Sequence, residues 1–171
     1  MVKRPCYVVD AFSDRPFAGN SAGVVLDAED LSTTALQDIA EELKHAETAF
    51  PLPPRAAQAA FHLRWFTTFC EVGFCGHATL AALHVLAGEA GRIRVDAEED
   101  PVTGSASAQL ALLVHGFQPA PIPRRFVFSQ GDELGRPGRV EIELRAGPGS
   151  ESPRAWLSGS ALTTLRGELI L

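Results

Sequence analysis

Alternation of apolar and polar positions predicts strands towards both ends of this chain, with two apolar helices between them. Residues 7–12 (Tyr-Val-Val-Asp-Ala-Phe) read as a buried first strand. Residues 22–26 read as a second that pairs with it across a turn punctuated by Pro16 and Gly19. Around Ser32, a favoured N-cap, Leu31, Ala35, Leu36, Ile39, Ala40 and Leu43 recur at helical spacing. The resulting helix, running to Lys44, is amphipathic and belongs on the outside of a sheet. A Pro/Ala loop over 51–60 leads to a half-buried strand at 61–66. Further on, 92–96, 125–128 and 140–144 read as strands, a turn falls at 135–138, and 155–169 supplies two closing strands.

The helices at 77–88 and 105–115 are different in kind. Between Ala78 and Ala87 stands no Lys, Arg, Asp or Glu, the pattern of a helix inside a domain. Its entrance is polar. Gly73 and Gly76 leave the backbone open to approach, and His77 and Thr79 sit beside helical N–H donors without intrahelical acceptors. Such a start attracts an anion through both the N–H groups and the macrodipole. The device occurs twice: Gly76-His-Ala-Thr matches Gly104-Ser-Ala-Ser, with an acid upstream of each, Glu71 and Asp100. Convergence of two Ala/Leu-rich core helices explains the apolar runs alone. The glycine-flanked entrances point instead to a paired site that encloses a small carboxylate.

Composition narrows the class. A chain of 171 residues fits one domain or two small halves, and a net charge of −6 without a basic run argues against nucleic acid as a partner. The first residues lack the apolar core of a signal peptide, and no apolar run is long enough for a membrane span. Three cysteines, an odd number, read as reduced thiols of a cytoplasmic protein.

Val9-Asp-Ala-Phe12, Phe17-Ala-Gly-Asn20, Glu47-Thr-Ala-Phe50, Arg64-Trp-Phe-Thr67, Cys75-Gly-His-Ala-Thr-Leu-Ala81, Glu99-Asp-Pro-Val-Thr-Gly-Ser-Ala106 and Gln130-Gly-Asp-Glu-Leu-Gly-Arg-Pro-Gly138 follow one another in this order. Together they resemble the PhzF family of phenazine-biosynthesis-like isomerases, over most of the chain. The resemblance implies an α+β, diaminopimelate-epimerase-like fold: two pseudo-repeated halves, each a mixed sheet around a central apolar helix, with the active site between them. The halves correspond to 1–97, with its helix at 77–88, and 98–171, with its helix at 105–115. The resemblance also implies roles. Glu47 moves a proton without metal or organic cofactor, and His77 and Asp100 complete the catalytic set. Asn20, Gly76, Ala78, Gly104 and Ser105 bind the substrate. Departures from the family pattern are Ser21 in place of a usual proline, Ala46 in place of serine and Ser107 in place of histidine. Val95 also runs almost directly into Glu98-Glu-Asp100, where relatives place several strands.

Proton transfer beside a carbonyl needs a base, a polarised acceptor and a route for returning the proton. Glu47 can serve if burial raises its pKa towards the working pH; on local sequence alone it reads as a surface acid, and the resemblance reverses that. His77 either satisfies core hydrogen bonds or meets the substrate, and Asp100 either caps the second helix or holds His77 or the substrate. Cys75 reads as a packed, inert cysteine. Racemases of this fold oppose two thiols, and the matching position in the second copy is Thr103. Cys70, Cys75 and His77 have poor zinc spacing, and Ser105 lacks a base at nucleophile-elbow spacing. The chain is thus expected to be a cofactor-independent isomerase of a small carboxylate. The alternative is a catalytically impaired short paralogue that binds a ligand or protein. Since each half is short of strands, the half-sheets are expected to merge around both helices or to be completed in a homodimer.

Overall fold

The computed structural model describes residues 2–54, 61–88, 92–96, 106–130, 135–147 and 153–171. Strand β2 (Asn20–Val25) explains the first part of the fold, because its side chains point alternately towards two helices on opposite faces. Val24 packs into the cluster around α2 (Gly76–Leu86), and Val25 into the cluster around α1 (Thr33–Leu43). Ala49 and Phe50 on β3 (Thr48–Leu52) divide in the same way. β1 (Lys3–Ala11) lies antiparallel to β2 on one side. On the other side β3 lies parallel, followed by antiparallel β4 (His62–Phe66) and the two-residue β5 (Glu71–Val72).

The outer helix forms as its sequence indicates. Ser32 Oγ accepts from the Ala35 N–H at 3.1 Å, and Lys44 closes the helix in the left-handed region. Leu36, Ile39 and Ala40 are buried in one cluster with Phe50 and Phe66. Helix α2 takes the inner position, against β1, β2, β3, β6 (Arg92–Asp96) and β9 (Pro153–Ile170). Ala78, Ala81 and Ala82 let strands close in around it, while Leu80 supplies a large buried side chain worth ~1.5–3 kcal/mol.

Helix α3 (Ala106–Phe117) lies on β8 (Gly138–Ala146) and β9, with Ala108 and Ala111 against Val140, Ile142, Leu144 and Leu157. β7 (Arg124–Gln130) completes the path β5-β4-β3-β2-β1-β9-β8-β7, and β6 pairs separately with β9. A mixed sheet with three helices is an α+β fold, and among the described residues only β2–β3 is a parallel pair.

Several expectations change. Where the sequence suggests two closing strands, a single β9 runs from Pro153 to Ile170. Its first part pairs with β6 and β8, its later part with β1, so one strand joins the two half-sheets. A register shift between Val8 and Val9 leaves Thr164 outside the ladder, with its Oγ1 donating to Val8 O at 3.2 Å. Earlier on β9, where Gly159 pairs with Ile93, a Cβ at Gly159 would collide with the Phe12 ring. β3 takes in Pro51 and Leu52, which the sequence assigns to the loop over 51–60. It is buried on both faces beside a parallel neighbour, so no alternation marks it. The helices expected at 77–88 and 105–115 span Gly76–Leu86 and Ala106–Phe117, and the expected boundary at 97/98 lies outside the described residues. No helix among the described residues is long and apolar enough to cross a membrane.

Candidate active site

Because β2 and β3 run parallel, both strands start at the same end of the sheet, and the first turn of α2 comes to that end too. Gly23 N donates to Glu47 O at 3.0 Å, which fixes Glu47 one residue ahead of β3. Cys75 is the N-cap of α2, in extended conformation, and its carbonyl takes the Thr79 N–H at 2.9 Å. The N–H groups of Gly76, His77 and Ala78 precede that first intrahelical bond.

Three side chains meet here. The donor atoms of Glu47, Cys75 and His77 lie within 4.8 Å of one another. His77 Nε2 stands 3.1 Å from Glu47 Oε2, and its Nδ1 stands 3.3 Å from Cys75 Sγ. The first separation is that of an ion pair. The ring N–H is turned off hydrogen-bond alignment, so charge carries more of that attraction than direction. Both side chains are largely sheltered, His77 at 11% exposure and Glu47 at 22%.

Burial alone would pull the His77 pKa down. Its contacts with Cys75 and Glu47 outweigh this and push it up to about 9, so the ring is cationic at neutral pH. The contact with His77 holds the Glu47 carboxyl below its usual value, against burial, which raises it; Cys75 lowers it further. Partial burial of Glu47 thus occurs as expected, but the shift has the opposite sign because the neighbouring cation wins.

The same three donors, a carboxylate, a thiol and an imidazole, are of types that zinc accepts. Their arrangement is a chain rather than a cage: the imidazole lies between the other two, with one ring nitrogen towards each. A single ion would need the same ring nitrogen to face both partners. Cys70 belongs elsewhere, exposed in a turn where Thr67 Oγ1 accepts its N–H.

The other expected residues are distributed unevenly. Ala78 is fully buried, and Gly76 opens the helix. Asn20 is exposed at the start of β2, opposite Ala11. Thr79 is not free to meet a ligand, for its Oγ1 donates to Cys75 O at 2.7 Å. Glu71 is held by Arg64 through two 2.7 Å bonds on β4 and β5. Asp100, Gly104 and Ser105 lie outside the described residues.

Sequence reasoning missed a buried carboxylate paired with a partly exposed arginine at the same end. Asp10, 2% exposed, accepts the Phe17 N–H at 2.7 Å and an Arg136 Nη2–H at 2.8 Å. Phe12 and Phe17 both take positive φ, so the turn between them is strained and needs such anchoring. Arg139 N donates to Phe12 O and Gly19 N to Pro137 O, which docks the 12–19 turn on the start of β8. The only local sign was a lone acid inside an apolar strand. His45 is nearby, with Nδ1 3.4 Å from Ser21 Oγ. Burial lowers its pKa; the Asp10 charge raises it and the Arg136 charge lowers it. A cleft of about 440 Å³ follows this seam, bordered by Ser13, Arg15, Arg139, Glu141 and Ser160, and another of about 490 Å³ lies over β4 and β5. Neither is lined by Glu47, Cys75 or His77. The case for the site therefore rests on its side-chain chemistry rather than on concavity.

Known proteins resemble part of this sequence, and others share its fold. The chain is 51% identical over 86 residues to YddE of Salmonella typhimurium, described as an uncharacterized isomerase, a match covering 50% of this chain and 28% of that protein. The matched part is thus less than a third of the relative's length. A PhzF-family phenazine biosynthesis protein from Bacillus anthracis has the same fold, with TM-score 0.81 and 18% identity over 100% of both chains. A protein from Pseudomonas aeruginosa described as a predicted epimerase gives TM-score 0.76 and 18% identity, over 98% of this chain and 99% of that one. The family model for phenazine biosynthesis-like proteins matches residues 9–96 and 94–167, and the chain belongs to this family, PhzC-PhzF.

Proposed function

We propose that this chain is an isomerase that moves a proton on a small carboxylate without an organic cofactor, with Glu47 as base and His77 as its acid partner. The single observation that carries the reading is the 3.1 Å pair of these side chains at the first turn of α2. An ionised carboxylate accepts a proton, and the imidazolium beside it donates one, so abstraction and return need no second base. Glu47 takes a proton from the carbon next to a carbonyl, and the bonding electrons move towards the carbonyl oxygen, where His77 donates. As the carbonyl re-forms, His77 takes its proton back and Glu47 releases the one it abstracted to another carbon on the same face, so both groups end in their starting states and the product is an isomer. The N–H groups at Gly76, His77 and Ala78 offer the substrate carboxylate the positive end of a helix. In this reading Asp100 joins the catalytic pair, and Asn20, Gly104 and Ser105 complete the substrate side. The descriptions of YddE as an isomerase and of the Pseudomonas protein as an epimerase support the reaction class.

A homodimer is part of the reading, since β7 ends the described sheet with an open edge and Val127 on it is exposed. Sedimentation at low micromolar concentration checks this. The reaction is tested by incubating the protein with a panel of small carboxylic acids in D₂O. Deuterium appears in one of them with the wild type and not with Glu47→Gln. Binding without exchange by the wild type would instead establish a short, non-catalytic paralogue.

A further inference from the structure

We propose that Cys75 is a positioning residue for His77, its Sγ fixing the imidazole through Nδ1 so that Nε2 faces Glu47; the catalytic part of this role rests on the proton-transfer reading above. An imidazole carries two distinct nitrogens, and the partner of one decides the state of the other. A ring turned over by half a rotation would present carbon, not nitrogen, to Glu47. The 3.3 Å contact between Sγ and Nδ1 opposes that turn, and a thiol both donates and accepts, weakly.

Cys75 is itself well held. It is 8% exposed and packs with Ala78 and Leu80, and its carbonyl accepts both the N–H and the hydroxyl of Thr79. It also forgoes the usual work of its position. An N-cap side chain ordinarily bonds a first-turn N–H, but Cys75 makes no side-chain cap bond and directs its sulfur at His77. The ionisable groups acting on His77 are Cys75, on its own helix, and Glu47, from the start of β3. Asp10 on β1, another strand packed against α2, is occupied by Arg136 and the Phe17 N–H. Among the described ionisable groups, Cys75 is the one at Nδ1.

The test reads the ring directly, by ¹⁵N NMR of His77 in the full chain. In the wild type one tautomer of the neutral ring dominates above the midpoint of deprotonation, and that midpoint lies at about 9. Cys75→Ala lowers the midpoint and mixes the tautomers as the ring deprotonates. Its kcat for proton exchange falls about 10- to 100-fold, by analogy with partners that orient metal-bound imidazoles, with KM nearly unchanged. Cys75→Ser, which keeps a donor and acceptor, restores the ring signature and most of kcat. Should Cys75→Ala not fold, Cys75→Val removes the hydrogen bond without opening a cavity and gives the same reading. An unchanged midpoint and tautomer in the Ala or Val variant would overturn the proposal and leave Cys75 as packing alone. If those signatures move while the wild type exchanges no deuterium into any acid, the positioning role stands and the isomerase reading falls.

Discussion

Two helices of this chain are equally apolar by sequence and are treated very differently by the fold. Helix α2 has β1, β2 and β3 around it, together with β6 and β9, and Ala78, Leu80, Ala81 and Ala82 vanish from the surface. Helix α3 rests chiefly on β8 and β9 among the described strands, with Phe126 and Phe128 of β7 beside the same cluster, Ala108 and Ala111 covered and Phe117 at its end 79% exposed. An all-apolar helix therefore announces that it needs cover, not how much it receives. The difference falls where strands are scarce: β9 has to serve as an edge for β1, β6 and β8 at once. The caged helix is also the one whose start holds Glu47, Cys75 and His77 in place.

The largest effect expected from this comparison is on activity. Glu47→Gln should lower proton exchange by about 10²–10⁴-fold, the usual contribution of a general base, with little loss of folding. Replacing the exposed Phe117 of α3 by Ser should leave exchange unchanged. A Glu47→Gln protein with near wild-type exchange would remove the first helix from the chemistry.

Packing comes next. Leu80→Ala leaves a cavity inside the cage and should cost ~2–5 kcal/mol in denaturant unfolding. Leu112→Ala on half-buried α3 should cost clearly less. Equal costs would mean that the two helices are covered alike.

The smallest effect is the pH response of the two regions. The raised pKa of His77 stabilises the fold fully below its ordinary value of 6.5, and this is lost as pH rises through about 9. The lowered pKa of Glu47 stabilises it above the ordinary 4.5, and this is lost as pH falls through its folded value. The pair is thus at full strength between 4.5 and 6.5. Hydrogen exchange should show α2 losing protection above about 9 while α3 does not follow through this pair. The contrast should disappear in Glu47→Gln.

What could be read from the sequence was what repeats locally. Ser32 before a periodic run gave the start of α1, and the charge-free stretch after His77 gave α2. Alternation at 140–144 marked β8, and Glu47 and His77 could be named because each sits in a distinctive block of residues. What stayed hidden depends on partners far away along the chain. β3 shows no alternation because both its faces are buried, and β9 reads as two strands because its partner changes midway. Asp10 and Arg136 meet across 126 positions, and no window of sequence carries such a pair. Cys75 is packed as its sequence suggests, and its contact with His77 was not legible. Its spacing of two from His77 says nothing about side-chain direction until the extended N-cap conformation turns the sulfur towards Nδ1.

The central claim is that Glu47 and His77 form a working pair of carboxylate and imidazolium at the start of the caged helix. It is tested most directly by titrating the His77 side chain by NMR in the wild type and in Glu47→Gln. The account predicts a wild-type midpoint near about 9 and a clearly lower one in the variant, because Glu47 is among the groups that hold the proton there. A wild-type midpoint at the ordinary 6.5, unmoved by Glu47→Gln, would contradict it.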